Sequence, residues 1–346
     1  MTWSTGRTAR RIGTFLAGLG LMAPALFPAQ ISKYRKTVPD KGHLIRTVPF
    51  EKWLKTNYCG PACLAMVLNS WEGTRSFSQQ KIAGEIFDSG SQATYNSELV
   101  LYPRTKGYES YSFQGSLEIL KDLIRKDIPV IVLTKTVKKI AKGHYRVVIG
   151  FDDDAGQIIL HDPYFGGLRA MKVKSFMKFW ELGKGRNQSR WMMAVVPGRS
   201  PFPFPALRKD PLTSINLATA YYRRSDFARS REQWEKVRES LGEDPYALYS
   251  LGMVSLRQGR LDEAEALALE AVGLDAKSAY AHDVLGLALA NQGKMLPALQ
   301  SLGQALRLAP KERFIRAHYL QVRAIYIERA RLEDILKKEK SNEKTG

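Results

Sequence analysis

Cysteine is scarce in this chain: Cys59 and Cys63 are the two in 346 residues. That is too few for the disulfide framework of a small secreted scaffold, and no second cysteine pair or paired histidines accompany them as a zinc site would need. Four residues apart on one helix face, their Cβ atoms would lie ~5 to 6 Å apart, beyond the ~3.5 to 4.5 Å of a disulfide. Long hydrophobic runs are also missing past residue 30, so no set of transporter-like spanning segments follows. Acidic residues are outnumbered, with 34 Asp and Glu against 53 Lys and Arg and a net charge of +19. Within residues 31–200 the ratio is 27 basic to 15 acidic, against 23 to 19 from 201 onward. The basic residues are scattered among acids with no nucleic-acid-binding motif, which argues for solvated surface rather than a nucleic-acid partner. The densest basic stretch is VKKIAK, residues 137–142.

What the chain does have begins with a leader. Arg7, Arg10 and Arg11 precede an apolar run from Ile12 to Leu26 that ends in Ala23-Pro24-Ala25, the layout of a secretory signal peptide. Residues 1–30 are therefore expected to direct export to a periplasmic or extracellular location, with a short uncleaved anchor as the alternative. Any membrane contact would be made through this segment, since Gly18, Gly20 and Pro24 interrupt a stretch already shorter than the ~20 residues of a spanning helix.

Residues 31–47 read as a linker or a first strand. From 48 to 198 helical and strand-like runs alternate: CGPACLAMVLNSW and SLEILKDLIRK are helical, and PVIVLT, HYRVVIGFD, QIILHDP and RWMMAVVP are strand-like. The pair HYRVVIGFD and QIILHDP is joined by Asp153-Asp154-Ala155-Gly156, a hairpin signature. A helical lobe followed by an antiparallel sheet gives an α+β domain. PGRSPFPFP then marks a boundary, with 199–209 a proline-rich linker. Beyond it a period of 34 appears: Leu251-Gly252 recurs as Leu285-Gly286, Gly259 as Gly293, Ala264 as Ala298, Ala271 as Ala305, and Asp210-Pro211 as Asp244-Pro245. Residues 210–313 thus read as an all-α array of tetratricopeptide-like (TPR-like) repeats, at about 210–243, 244–277 and 278–311. A capping helix and charged tail fill 314–346.

The chemistry lies in the first domain. Pro61 suits the first turn of a helix, which puts Cys59 at the helix start, where unpaired N–H groups and the helix dipole favour a thiolate. A histidine to hold the proton completes the pair. His43 lies in the basic linker and His282 and His318 in the repeats, leaving His144 and His161. His144 opens a strand after Gly143. Asp162, at the end of the next strand, is placed to accept the Nδ1 hydrogen of His144, while alternation turns His161 to the opposite face. Cys63, one turn below Cys59, is expected to be a buried small hydrophobe.

NYCGPACLAMVL at 57–68, LEILKDLIRKDIPVIVL at 117–133, GHYRVVIGFDDD at 143–154 and HDPYFGG at 161–167, with VPF at 48–50, resemble the papain-like cysteine peptidases of the bacteriocin-processing, double-glycine-leader type (family thirty-nine). The resemblance implies a papain-like peptidase fold with Cys59 as nucleophile, His144 as general base and acid, and Asp162 as orienting acid, with neither metal nor cofactor. Members usually carry an oxyanion-binding glutamine five or six residues before the cysteine; here Trp53 and Leu54 stand there, followed by Lys55, Thr56 and Asn57. The oxyanion hole would then comprise the Cys59 backbone N–H with Asn57 or Lys55 as a side-chain donor. The expected function is an exported cysteine peptidase acting on a peptide or protein substrate through an amide or isopeptide bond, with the TPR-like repeats recruiting substrate or a protein partner. Two alternatives stand beside it: an inactive peptidase-like adaptor that binds a peptide, and amide transfer through the same thioester.

Overall fold

The computed structural model describes residues 31–35, 39–135, 143–183 and 189–343, so the leader and the basic run 137–142 lie outside the described residues. The first part of the chain comprises β1 (Ser32–Lys33), β2 (Gly42–Leu44), α1 (Cys59–Glu72), α2 (Gln79–Ile86), β3 (Phe87–Asp88), β4 (Ala93–Thr94), α3 (Asn96–Thr105), β5 (Tyr108–Gln114), α4 (Leu117–Arg125), β6 (Val130–Thr134), β7 (His144–Asp152), β8 (Gln157–Asp162), β9 (Gly166–Lys172), α5 (Val173–Trp180) and β10 (Trp191–Pro197). The second part is helical: α6 (Pro205–Arg208), α7 (Pro211–Arg223), α8 (Phe227–Leu241), α9 (Pro245–Arg257), α10 (Leu261–Leu274), α11 (Ala279–Asn291), α12 (Met295–Leu308) and α13 (Arg313–Glu343).

The α+β reading of the first part holds. Its main sheet runs in the order β1-β9-β8-β7-β6-β10-β5, with β2 added onto β7 and all pairings antiparallel. Central strands β6 and β7 are buried along their whole length, because α1 and α4 both pack on them. That burial explains their continuous Val and Ile runs in place of alternation. Strands β5 and β9 escaped the sequence reading: Tyr108–Gln114 interleaves Ser with aromatics, and β9 opens on two glycines. Of the two readings of residues 31–47, a linker or a first strand, the strand holds in part: they supply short edge pairings, β1 on β9 and β2 on β7. The proline-rich 199–209 is likewise no free tether, since Phe202 is buried and stacks on Tyr111 of β5 at 4.3 Å.

The repeats follow from capping at a fixed period. Asp210, Asp244 and Ser278, 34 apart, each accept backbone N–H bonds at the start of α7, α9 and α11, and Pro211 and Pro245 occupy the first turn. The turns inside the second and third pairs use Gly259 (φ 74) and Gly293 (φ 83), whereas the degenerate first pair holds Ser225 in the same left-handed region (φ 59). The first helix docks onto the sheet. Thr213 Oγ1 accepts from Ser112 N at 2.9 Å and donates to Ser112 O at 3.0 Å, satisfying the outer edge of β5. Arg224 pairs with Glu98 at 2.7 Å, and Arg223 pairs with Asp88 at 2.7 Å and lies over the Tyr95 ring. One hydrophobic core consequently runs from the sheet into the first repeats.

Close helix approach within the repeats depends on Gly286, where an added Cβ would lie 2.5 Å from Leu302 Cγ. At Gly273, in α10, a Cβ would meet nothing within 4 Å. Gly286→Ala is expected to lower stability by about 1–3 kcal/mol through overpacking, and Gly273→Ala to raise it by about 0.5–1 kcal/mol. Urea denaturation followed by circular dichroism checks both signs.

Candidate active site

Cys59 is the first residue of α1, so its own N–H is among those with no acceptor inside the helix. His144 is the first residue of β7 and Asp162 the last of β8. The β7–β8 register pairs Val147 with His161 and Val148 with Leu160. One step further along, Arg146 stands opposite Asp162 on the face that also carries His144, while His161 is turned to the other face.

The sequence-selected Cys59, His144 and Asp162 come together. Cys59 and His144 share a side-chain hydrogen bond, and His144 Nε2 lies 2.9 Å from Asp162 Oδ1. The nitrogen facing the carboxylate is therefore Nε2, not the expected Nδ1. Nε2 is the ring nitrogen farther from the backbone and reaches across to β8, leaving Nδ1 for the sulfur. Asp162 is fully buried and ties down its own loop, because Oδ1 also accepts from Tyr164 N at 2.8 Å and Phe165 N at 3.0 Å. Its Oδ2 accepts from Arg146 Nε at 2.7 Å. Burial alone would raise this carboxyl, but the charges of Arg146 and His144 and the hydrogen bonds hold it well below the usual carboxylate range.

The other two groups shift in the sense an ion pair needs. Burial opposes a thiolate at Cys59, yet the hydrogen bond and charge of His144, with the N–H groups of Tyr145 and Gly60, bring the thiol down. Burial also opposes an imidazolium at His144. The Asp162 charge and the hydrogen bonds to Asp162 and Cys59 together overcome it and raise His144, although Arg146 pulls the other way. Cys63 has no exposed surface, and burial drives its thiol well above the ordinary value. Both cysteines are free thiols.

His161 takes no part: Leu168 N donates to its Nδ1 at 3.1 Å, so Nε2 carries the hydrogen and donates to Val48 O at 3.1 Å. Burial lowers its pKa, which keeps it neutral. Asn57 sits in the left-handed region (φ 69) of the turn into α1, and among the described residues its side chain makes no hydrogen bond. Lys55 lies over the Tyr58 ring, 5.9 Å from its centroid. Neither is engaged with Cys59 or His144.

Two further residues belong to the site. Trp53 stands edge-on to the His144 ring at 5.7 Å and to Tyr164 at 5.2 Å, held by Trp53 N donating to Pro163 O and by Gln79, which bonds Lys52 O and Leu54 N. The second is Arg146, whose Nε reaches Asp162. A charged residue inside an apolar strand, one alternation from His144, is the sign of its involvement.

Residues 45–187 match the model of the Peptidase_C39 like family, and residues 215–281 match the tetratricopeptide repeat model. Over residues 45–187 the first domain is thus similar to that peptidase family. Among solved structures, the peptidase domain of Streptococcus ComA, a bifunctional ABC transporter of a quorum-sensing pathway, is 22% identical over 43% of this chain and 98% of its own, with a TM-score of 0.36. The Sgt2 TPR domain from Aspergillus fumigatus is 15% identical over 37% of this chain and 84% of its own (TM-score 0.34). MamA of Desulfovibrio magneticus RS-1 is 20% identical over 38% and 74% (TM-score 0.32). No curated protein matches the chain. The residues that match the peptidase-family model include the cluster around Asp162, and the stretch that matches the tetratricopeptide model follows them.

The shifts fix how stability of the first domain depends on pH. Asp162 is depressed, so its contribution is fully present above about pH 4 and is lost as pH falls below that. His144 is raised, so its contribution is present below about pH 6.5 and is lost as pH rises through its folded pKa. Asp162→Asn leaves Arg146 as an uncompensated buried charge and is expected to cost about 3–5 kcal/mol. Urea midpoints between pH 2 and 9 check both: the acid-side decline should be shallower in the variant.

Proposed function

We propose that the chain is an exported cysteine peptidase that hydrolyses a peptide or isopeptide bond, with Cys59 as nucleophile, His144 as general base and acid, and Asp162 as orienting acid. The observation that carries this reading is the run of hydrogen bonds from the Cys59 thiol through His144 to Asp162 at a helix start. In the reaction the Cys59 sulfur attacks the carbonyl carbon while the carbonyl oxygen takes up the electron pair. His144 then gives its proton to the leaving nitrogen and a thioester remains. Water attacks that thioester, its proton passing to His144, and the sulfur departs as thiolate. The Cys59 N–H faces the developing oxyanion, and Asp162 steadies the imidazolium formed in each half. Export rests on the leader of residues 1–30.

The TPR region serves in this reading as the recruiting surface for substrate or a protein partner. Tyr249, Tyr280 and Phe314 support it by stacking in a row across α9, α11 and α13, at 5.7 and 5.9 Å, with Tyr280 and Phe314 each about two-fifths exposed. Such half-open aromatics offer a large apolar surface at low ordering cost. The adaptor reading is favoured by one feature, Trp53 at the sequence position of the family's glutamine.

Iodoacetamide alkylation of Cys59 as a function of pH divides the two. The rate is expected to stay high well below the ~8.5 of a free thiol and to collapse in His144→Ala. A rate no faster than a free thiol at every pH would remove the premise of an enzyme. For the repeats, Tyr280→Ala with Phe314→Ala should abolish co-purification of a partner captured by the wild-type protein while leaving the alkylation profile unchanged.

A further inference from the structure

We propose that Arg146 is a positioning residue for this reaction, closing a buried line of four groups, Cys59, His144, Asp162 and Arg146, whose charges alternate when the thiol is ionised. The inference rests on the peptidase reading and adds to it a group that a cysteine, histidine and acid set does not need.

Arg146 is 1% exposed and Asp162 fully buried. The guanidinium is held at two ends. Nε donates to Asp162 Oδ2 at 2.7 Å, while Nη1 bonds Thr134 Oγ1 and reaches Lys135 O at 3.4 Å. Thr134 Oγ1 in turn donates to His144 O at 3.0 Å, so one residue of β6 ties the histidine backbone and the guanidinium together. The consequence is a division of the carboxylate. Oδ2 is taken by Arg146, and Oδ1 is left to His144 and the two loop N–H groups, so the oxygen and the plane presented to the imidazole are set before substrate arrives.

Charge supplies the second role. A buried thiolate, imidazolium and carboxylate sum to one negative charge, which burial penalises; the guanidinium brings the sum to zero. It also keeps Asp162 an acceptor, because a protonated Asp162 would cease to hold the imidazolium. The same positive charge opposes that imidazolium and eases release of its proton to the leaving nitrogen. The other titratable groups near Asp162 do not supply this charge. Cys63 is kept neutral by burial, and the buried Tyr145 phenol, pushed well above its ordinary value, stays neutral too. Lys135 reaches Arg146 through its carbonyl oxygen.

Two substitutions in the full chain separate charge from hydrogen bonding. Arg146→Gln keeps a donor for Asp162 Oδ2 and removes the charge, whereas Arg146→Lys keeps the charge. The readout is the pH profile of Cys59 alkylation by iodoacetamide, whose alkaline step reports loss of the His144 proton, with folding followed by circular dichroism. Removing a positive charge strengthens the hold on that proton, so in Arg146→Gln the alkaline step is expected to move to higher pH by about one unit. In Arg146→Lys it should stay near the wild-type position. An unmoved step in a folded Arg146→Gln overturns the proposal, as does an equal shift in both variants, or loss of folding in both, which would make the residue purely structural. Failure of the peptidase reading looks different, since the wild-type Cys59 would then show no low-pH reactivity at all.

Discussion

The buried carboxylate of Asp162 is the point on which the site turns. It receives His144 Nε2, Arg146 Nε and the N–H groups of Tyr164 and Phe165. A carboxylate without solvent is tolerable only with such a set of partners, and each partner is thereby placed. The histidine ring is oriented with Nδ1 toward the sulfur, the loop after β8 is drawn back so that Tyr164 meets Trp53, and the guanidinium is locked beneath. The Cys59 thiol lies at the far end of this chain of dependence, lowered by a histidine whose positive charge Asp162 sustains.

The sheet makes that arrangement possible. Antiparallel pairing of β7 with β8 sets His144, Arg146 and Asp162 on one face, and β6 contributes Thr134 from the other side of β7. Because α1 packs on the same strands, its first residue arrives at the end of the sheet where those side chains converge. The TPR region is joined to this scaffold rather than tethered to it. Thr213 satisfies the edge of β5, and Arg223 and Arg224 grip the β3–β4 hairpin and α3. Tyr145, next in chain to His144, bonds Thr94 O and Asn96 Oδ1 in that same segment. The docking of the first repeat and the support of the site therefore share residues.

Much of this is legible in the sequence itself. Local rules act over a few residues, so the helix at Cys59, the hairpin of β7 and β8, and the 34-residue repeat with its Asp-Pro caps could be read directly, as could the convergence of Cys59, His144 and Asp162. Segments whose identity depends on distant partners could not. β1 and β2 are strands because an edge is there to receive them, and Phe202 is buried because Tyr111 lies beneath it.

What the sequence by itself determined is the inventory: a thiol at a helix start, a histidine and an aspartate on neighbouring strands, and capped helix pairs at a fixed period, all products of short-range backbone and capping chemistry. Tertiary structure alone decided how that inventory is wired. Which imidazole nitrogen meets the carboxylate, that Arg146 takes its second oxygen, and that Asn57 stays apart while Trp53 covers the ring all depend on strand register and burial. Those are set by contacts between residues far apart in the chain, where no local pattern reaches.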